Sequence, residues 1–233
     1  MKRSLINAKI REALEFCRWQ NFHLPKWATW SPADWAAAGH EADEVRECQL
    51  GWDVTDFGKG DYDRLGLAIF TIRNGRPGAA DKSDPTAKDY CEKLLLVGEE
   101  QITPRHFHWT KMEDIINRAG GKLVIQLWNA EAKTEQLDEQ NEVTVSVDGI
   151  KQTVPAGGKI VLEPGDSITL PPYCYHLFYA AAGGGMVLCG EVSRVNDDEN
   201  DNRFLPELPR FPSIEEDEKP LHLLCNEYPP AAG

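Results

Sequence analysis

The sequence predicts a mainly β domain, a sandwich or barrel of many short strands, preceded by a helical extension. Three observations predict it. From Gly51 to Val192, short apolar runs recur between Gly and Pro turns, the pattern of an all-β sandwich or barrel. Before Gly51, apolar residues return at helical spacing instead. The chain has 233 residues and is 41% hydrophobic, which suits one large domain with a buried core and an extension. The expected organisation is a helical extension over residues 1–50, a barrel over 51–192 and a tail over 193–233 that wraps the barrel, all in one globular unit.

The elements follow in order. Ser4 is placed to cap a first helix in which Leu5, Ile6, Ile10, Ala13, Leu14, Phe16 and Cys17 form the apolar stripe, ending between Asn21 and Pro25. Ser31-Pro32 reads as an N-cap with Pro at the first helical position, and Gly39 stops that helix. A short acidic helix is expected from Ala42 to Cys48. Strands are expected at 65–73, before the turn signal Asn74-Gly75, and at 93–97. Gly120-Gly121 leads into a strand at 122–129, and residues 130–141 read as a polar surface loop. Strands 142–147 and 150–154 form a hairpin about Asp148-Gly149. Strands at 159–163, 167–170, 175–179 and 185–192 complete the set, with a turn at Pro164-Gly165-Asp166. The tail is acidic and Pro-rich, yet Phe204, Leu205, Leu208, Phe211, Leu221, Leu223 and Leu224 make it apolar enough to lie over the barrel.

The net charge of −13 argues against a nucleic-acid or membrane partner, since both need clustered Lys and Arg. It also disfavours a heavily phosphorylated substrate. No apolar run approaches the length of a membrane span, roughly 20 residues, and the N-terminus has no apolar signal core. None of the six cysteines forms a C-x-x-C pair. They are read as reduced thiols, and the location as cytoplasmic.

Potential metal ligands are densest between Gln101 and Asp114. His106 and His108 are one residue apart, so a strand presents both imidazoles on one face and turns Phe107 the other way. With Glu113 nearby, this is a metal-binding arrangement. The remaining histidines are His23, His40, His176 and His222.

At this point the sequence resembles the cupins. His106, His108, Glu113 and Gly120 match the first cupin motif, H-x-H-x4-E-x6-G. Gly165, Pro171 and His176 match the second, although Tyr173 stands where glycine is usual and Ala180 where asparagine is frequent. The resemblance implies a double-stranded β-helix, or jelly roll, in which His106, His108, Glu113 and His176 converge on one metal. That N/O set suits Mn²⁺, Fe²⁺, Co²⁺, Ni²⁺ or Zn²⁺ and leaves open positions for a substrate. Beyond the motifs, the stretch from Gln101 to Arg118, together with Gly190-Glu191-Val192-Ser193, Val195 to Asp198, Asp201-Asn202, Phe204 and Arg210-Phe211-Pro212, resembles the D-lyxose isomerases of the cupin superfamily. This narrower resemblance runs over nearly the whole chain. It implies Mn²⁺, with Co²⁺ as a substitute, and a free pentose or hexose as substrate. The reaction implied is aldose–ketose isomerisation through a metal-stabilised enediol, with D-lyxose and D-xylulose as one pair and D-mannose and D-fructose as another.

Such a reaction moves a proton between C2 and C1 and needs an acid/base group there. Lys111 is one candidate. It lies off the His106/His108 parity, so a turn or bulge must bring it in, and a neighbouring dication would depress its pKa. Glu207, in the most apolar part of the tail, is the second, buried if the tail closes over the barrel mouth. Glu191, at a strand end, is a third acid and a substrate-binding candidate. Trp27, Trp109, Phe107 and Phe178 are candidates to stack on a sugar, against the plainer reading of core aromatics. A cupin phosphosugar isomerase, an Fe²⁺ dioxygenase and a binding module stay open as alternatives. Barrel edges and apolar strands favour a homodimer.

Overall fold

The computed structural model describes residues 1–78, 87–131 and 133–232. Three α-helices come first: α1 (Arg3–Trp19), α2 (Pro32–Ala37) and α3 (Asp43–Glu47). The strands are β1 (Gly51–Thr55), β2 (Leu67–Arg73), β3 (Tyr90–Val97), β4 (Thr103–Phe107), β5 (Glu113–Gly120), β6 (Leu123–Ala130) and β7 (Leu137–Asp138). They continue with β8 (Val143–Val147), β9 (Ile150–Val154), β10 (Gly158–Leu162), β11 (Ser167–Leu170), β12 (Cys174–Ala180), β13 (Val187–Arg194) and β14 (Arg203–Phe204).

An eight-stranded sheet has the order β1-β2-β3-β13-β5-β11-β8-β9, and a second sheet has the order β10-β6-β12-β4-β14, with β7 beside β6. The strand pairs within both are antiparallel. One apolar core lies between the sheets, with Leu95, Val97 and Ile115 from the first against Leu123, Ile125 and Phe178 from the second. This is a mainly β jelly roll with N-terminal helices, as expected.

The larger sheet is covered on its outer face too. Ile6, Ile10, Ala13 and Phe16 of α1 pack on Trp52, Phe70, Leu94 and Leu96. Strands β1, β2 and β3 are therefore buried on both faces, and inward positions near one end of the barrel can carry polar groups. Asp53, Lys93 and Glu191 are all buried, and Asp53 lies opposite Ile69 of β2, an inner-core residue. That inversion conceals β1 in the sequence: its apolar Trp52 and Val54 belong to the cluster under α1.

Several local expectations hold. Ser31 caps α2 in a reciprocal box with Asp34. Asp148 and Gly149 both have positive φ, and Val147 pairs with Ile150 across the turn, a two-residue hairpin. One does not hold: Ser4 lies inside α1, which Lys2 precedes. The backbone N–H and hydroxyl of Ser4 instead donate to Asp217 of the C-terminal segment at 2.9 and 2.7 Å. The loop at 130–141 contains the short β7, and its Ala132 lies outside the described residues.

Candidate metal centre

Two ladders and a turn bring the candidate ligands together. His106 on β4 lies directly across from His176 on β12. Opposed residues of an antiparallel pair project to the same face, so the two rings stand 4.2 Å apart at their centroids. His108 follows the end of β4 in the same alternation, with its ring 5.2 Å from that of His106 and 5.9 Å from that of His176. The ligand nitrogens of the three histidines all lie within 4.8 Å of one another, and all three residues are buried. Glu113, the first residue of β5, approaches from the facing sheet. Its carboxylate stands 3.1 Å from His176 Nε2 and 3.4 Å from His108 Nε2.

Each imidazole is fixed through its other nitrogen. Nδ1–H of His106 donates to the Pro104 carbonyl at 2.7 Å, that of His108 to the Asp201 carbonyl at 2.5 Å, and that of His176 to the Cys174 carbonyl at 3.0 Å. A carbonyl only accepts, so the proton sits on Nδ1 and the Nε2 lone pair points inward. His108 Nε2, His176 Nε2 and Glu113 Oε1 are buried with no hydrogen-bond partner. Burial and the neighbouring His176 and His108 rings hold the His106 pKa well below its ordinary value, which favours the neutral ligand form. Burial works to raise Glu113, but Lys111 and His108 outweigh it and keep the carboxylate ionised. Converging lone pairs beside an ionised carboxylate fit a cation, so His106, His108 and His176 form a site that could hold a metal ion.

A charged network continues from the centre into the barrel. Lys111 Nζ lies 2.8 Å from Glu113 and donates to Glu191 at 2.8 Å and to Asn196 at 3.3 Å. Lys93 donates to Asn196 at 2.6 Å and stands 3.5 Å from Asp198. Arg210 pairs with Asp53 and, at 3.4 Å, with Asp198. Burial raises Asp198, but Lys93, Arg210 and Lys111 outweigh it and hold its pKa well below the usual range. Of these groups Lys93, Lys111, Glu113, Glu191, Asp198 and Arg210 line a cavity, walled on its apolar side by Phe57, Phe178 and Phe204.

A sequence model of the D-lyxose isomerase family matches residues 1–228. The chain belongs to the D-lyxose isomerase family. The D-lyxose/D-mannose isomerase of Escherichia coli O157:H7 is 48% identical over 229 residues, 98% of each chain. That of Serratia proteamaculans is 49% identical over 229 residues, again 98% of each. Among solved structures, the L-ribose isomerase of Acinetobacter sp. DL28 in complex with L-ribose superposes with a TM-score of 0.59. The match covers 92% of this chain and 98% of that one at 16% identity, a likeness of fold.

In this D-lyxose isomerase family chain, Lys111, Phe178 and Glu191 line the cavity. Burial lowers the Lys111 pKa, but Glu113 and Glu191 together raise it above the ordinary lysine value. Glu207 is exposed. The tail turns Phe204, Leu208 and Arg210 inward and leaves Glu207 on the outside, so burial at the barrel mouth is not realised. Trp27 stacks on Phe70 at 5.0 Å beneath the helices, on the other side of the large sheet from the cavity. Trp109 and Phe107 belong to an outer cluster with Trp128, Tyr173 and Tyr175, and Trp109 Nε1 donates to Glu135. Alternation explains both: they have the opposite parity to His106 and His108. Sequence reasoning missed Lys93 and Asp53, and gave no role to Asn196, Asp198 and Asp201, although these three lie in the stretches that carry the family resemblance. A charged residue inside an apolar strand, as with Lys93, is the signal that could have found one of them.

Proposed function

We propose that this protein is a divalent-metal-dependent aldose–ketose isomerase that interconverts D-lyxose and D-xylulose, with D-mannose and D-fructose as a second pair. The observation that carries the reading is the set of inward Nε2 lone pairs on His106, His108 and His176 facing the Glu113 carboxylate. His106, His108, Glu113 and His176 would hold the ion, Mn²⁺ with Co²⁺ as a substitute. When bound, such an ion supplies Lewis-acid polarisation of the sugar carbonyl.

The remaining work falls to the chain. Glu191 faces the cavity on β13 and serves as the proton carrier: the C2–H bond breaks to it and a C1–H bond forms from it, through an enediol. The O2 proton passes to O1 as the carbonyl moves to C2. Lys111, held as an ammonium between Glu113 and Glu191, orients the Glu191 carboxylate and donates to a sugar oxygen. Phe178, with its ring parallel to His176, gives the sugar an apolar wall. Glu207 is assigned no step.

A phosphorylated sugar fits less well. Lys93 is paired with Asp198, Arg210 with Asp53 and Asp198, and Lys111 with Glu113 and Glu191. A phosphate dianion would have to break one of these pairs. Among the described residues no helix is long and apolar enough to cross a membrane. We place the protein in the cytoplasm as a homodimer; light scattering on a sizing column tests the second point, and a monomer mass removes it.

The deciding experiment strips the protein with chelator, restores Mn²⁺ and follows D-lyxose to D-xylulose. Conversion that returns only with metal supports the reading. No conversion of any free pentose or hexose sinks it. Activity that vanishes in anaerobic buffer would favour the oxygen-dependent alternative.

A further inference from the structure

The turn between β4 and β5 carries His108, Thr110 and Lys111, and one residue of the C-terminal segment grips it at both ends. The main-chain carbonyl of Asp201 accepts from His108 Nδ1–H at 2.5 Å. Its carboxylate accepts the Thr110 N–H at 3.0 Å, the Thr110 hydroxyl at 2.8 Å and the Lys111 N–H at 2.9 Å. Asp201 is only 7% exposed, and its own N–H donates to the Asp197 carbonyl at 3.0 Å. It is separate from the cavity lining.

A turn that must present one imidazole and one ammonium needs its backbone held. Hydrogen bonds to an ionised carboxylate are short and about twice as strong as neutral ones. Asp201 supplies three of them to two consecutive residues, while its carbonyl sets the His108 tautomer. The Lys111 ammonium then reaches both Glu113 and Glu191.

We propose that Asp201 is a positioning residue of the metal centre, fixing the tautomer and direction of His108 and placing Lys111 between its two carboxylates. The proposal rests on the metal-isomerase reading above. Asparagine is not equivalent at this position. Its amide NH₂ would meet one of the donors that the aspartate accepts, although its oxygen can still hold another.

The test compares the parent protein with Asp201→Asn and Asp201→Ala, each stripped of metal and titrated with Mn²⁺ alone. Free Mn²⁺ is read by electron paramagnetic resonance. Both variants keep the Asp201 main-chain carbonyl but lose carboxylate bonds that hold it against the His108 turn, and displacing an outer partner of a ligating histidine weakens metal binding by about 10–100-fold. That increase in Kd is expected for Asp201→Ala, with Asp201→Asn between it and the parent. At saturating Mn²⁺, the kcat for D-lyxose should stay depressed while KM moves less, because Lys111 remains misplaced. If the alanine variant does not fold, the asparagine variant decides. Mn²⁺ affinity within about twofold of the parent in every folded variant would overturn the proposal. A parent that binds Mn²⁺ but converts no sugar removes the isomerase reading and leaves the affinity comparison standing. A parent that binds no Mn²⁺ removes both.

Discussion

His176 Nε2 and Glu113 Oε1 stand 3.1 Å apart, buried, and neither has a hydrogen-bond partner. With Nδ1–H committed to the Cys174 carbonyl, both facing atoms are acceptors. Two buried acceptors this close cost free energy unless a cation lies near them. Replacing His176 with Ala should therefore leave less than about a tenth of the parent's bound metal, measured by elemental analysis after gel filtration. Unchanged metal content would remove His176 from the ligand set. The two acids proposed from sequence part company at this scale. Glu191→Gln should lower kcat by about 10²–10⁴-fold, the usual worth of a positioned acid/base group, measured on folded, metal-loaded protein. Glu207→Gln, at an exposed position, should keep the parent's kcat. A reversed outcome would move the proton carrier to the tail.

The short connections between elements are what set the ligands in register. Gly120 ends β5 with φ +93°, and a Cβ there would collide with the carbonyl oxygen of Met186. The obstacle is backbone, on the segment leading into β13, and cannot swing aside. Gly120→Ala should cost roughly 1–3 kcal/mol through the strained conformation alone, seen as a lower denaturation midpoint at unchanged slope. A midpoint equal to the parent's would show that the turn can relax. Since β5 also begins with Glu113, a shift there should weaken metal binding along with stability. The β4–β12 ladder plays the matching part in the other sheet: one register position makes His106 and His176 partners, and a one-residue slip would turn every β4 side chain to the other face.

At the scale of the molecule, the two ends of the chain close on each other. Arg3, 1% exposed, pairs with Glu216 at 2.7 Å and with Glu227. Asn7 and Ser4 of α1 bind Lys219 and Asp217. This clasp fastens α1 against the sheet and anchors the segment whose upstream part, Asn196 to Arg210, builds one wall of the cavity. Arg3→Met should destabilise by about 2 kcal/mol, less than the roughly 3–5 of a fully buried pair because the acids are partly in water. Thermal unfolding measures it, and no change would mean the clasp is dispensable. The pH dependence has a definite sign. The Glu216 pKa is lowered, first by its hydrogen bond to Arg3. Its contribution is therefore complete above the ordinary glutamate value and is lost as pH falls through the lower folded value. The Arg3→Met protein should lose less stability than the parent on acidification through that window.

Periodicity and turn chemistry act between near neighbours, so the sequence by itself determined most of the elements: the apolar stripe of α1, the Ser31 cap, the Asp148-Gly149 hairpin and the alternation that puts His106 and His108 on one side. The spacing of Glu113, Gly165, Pro171 and His176 carried the site's outline through a family resemblance, and the family match bears that resemblance out. Only the tertiary structure decided which charged residues are buried. Asp198 and Asp201 sit in an acidic run that reads locally as a solvated tail, yet both are largely withdrawn from water, one against Lys93 and Arg210 and the other against the His108 turn. The same holds for Lys111, whose reach to Glu191 crosses from the turn before β5 to β13, and for Trp27, which the helices draw to the far side of the sheet. Burial of a charge depends on partners brought from distant parts of the chain, and that pairing leaves no local trace in the order of residues.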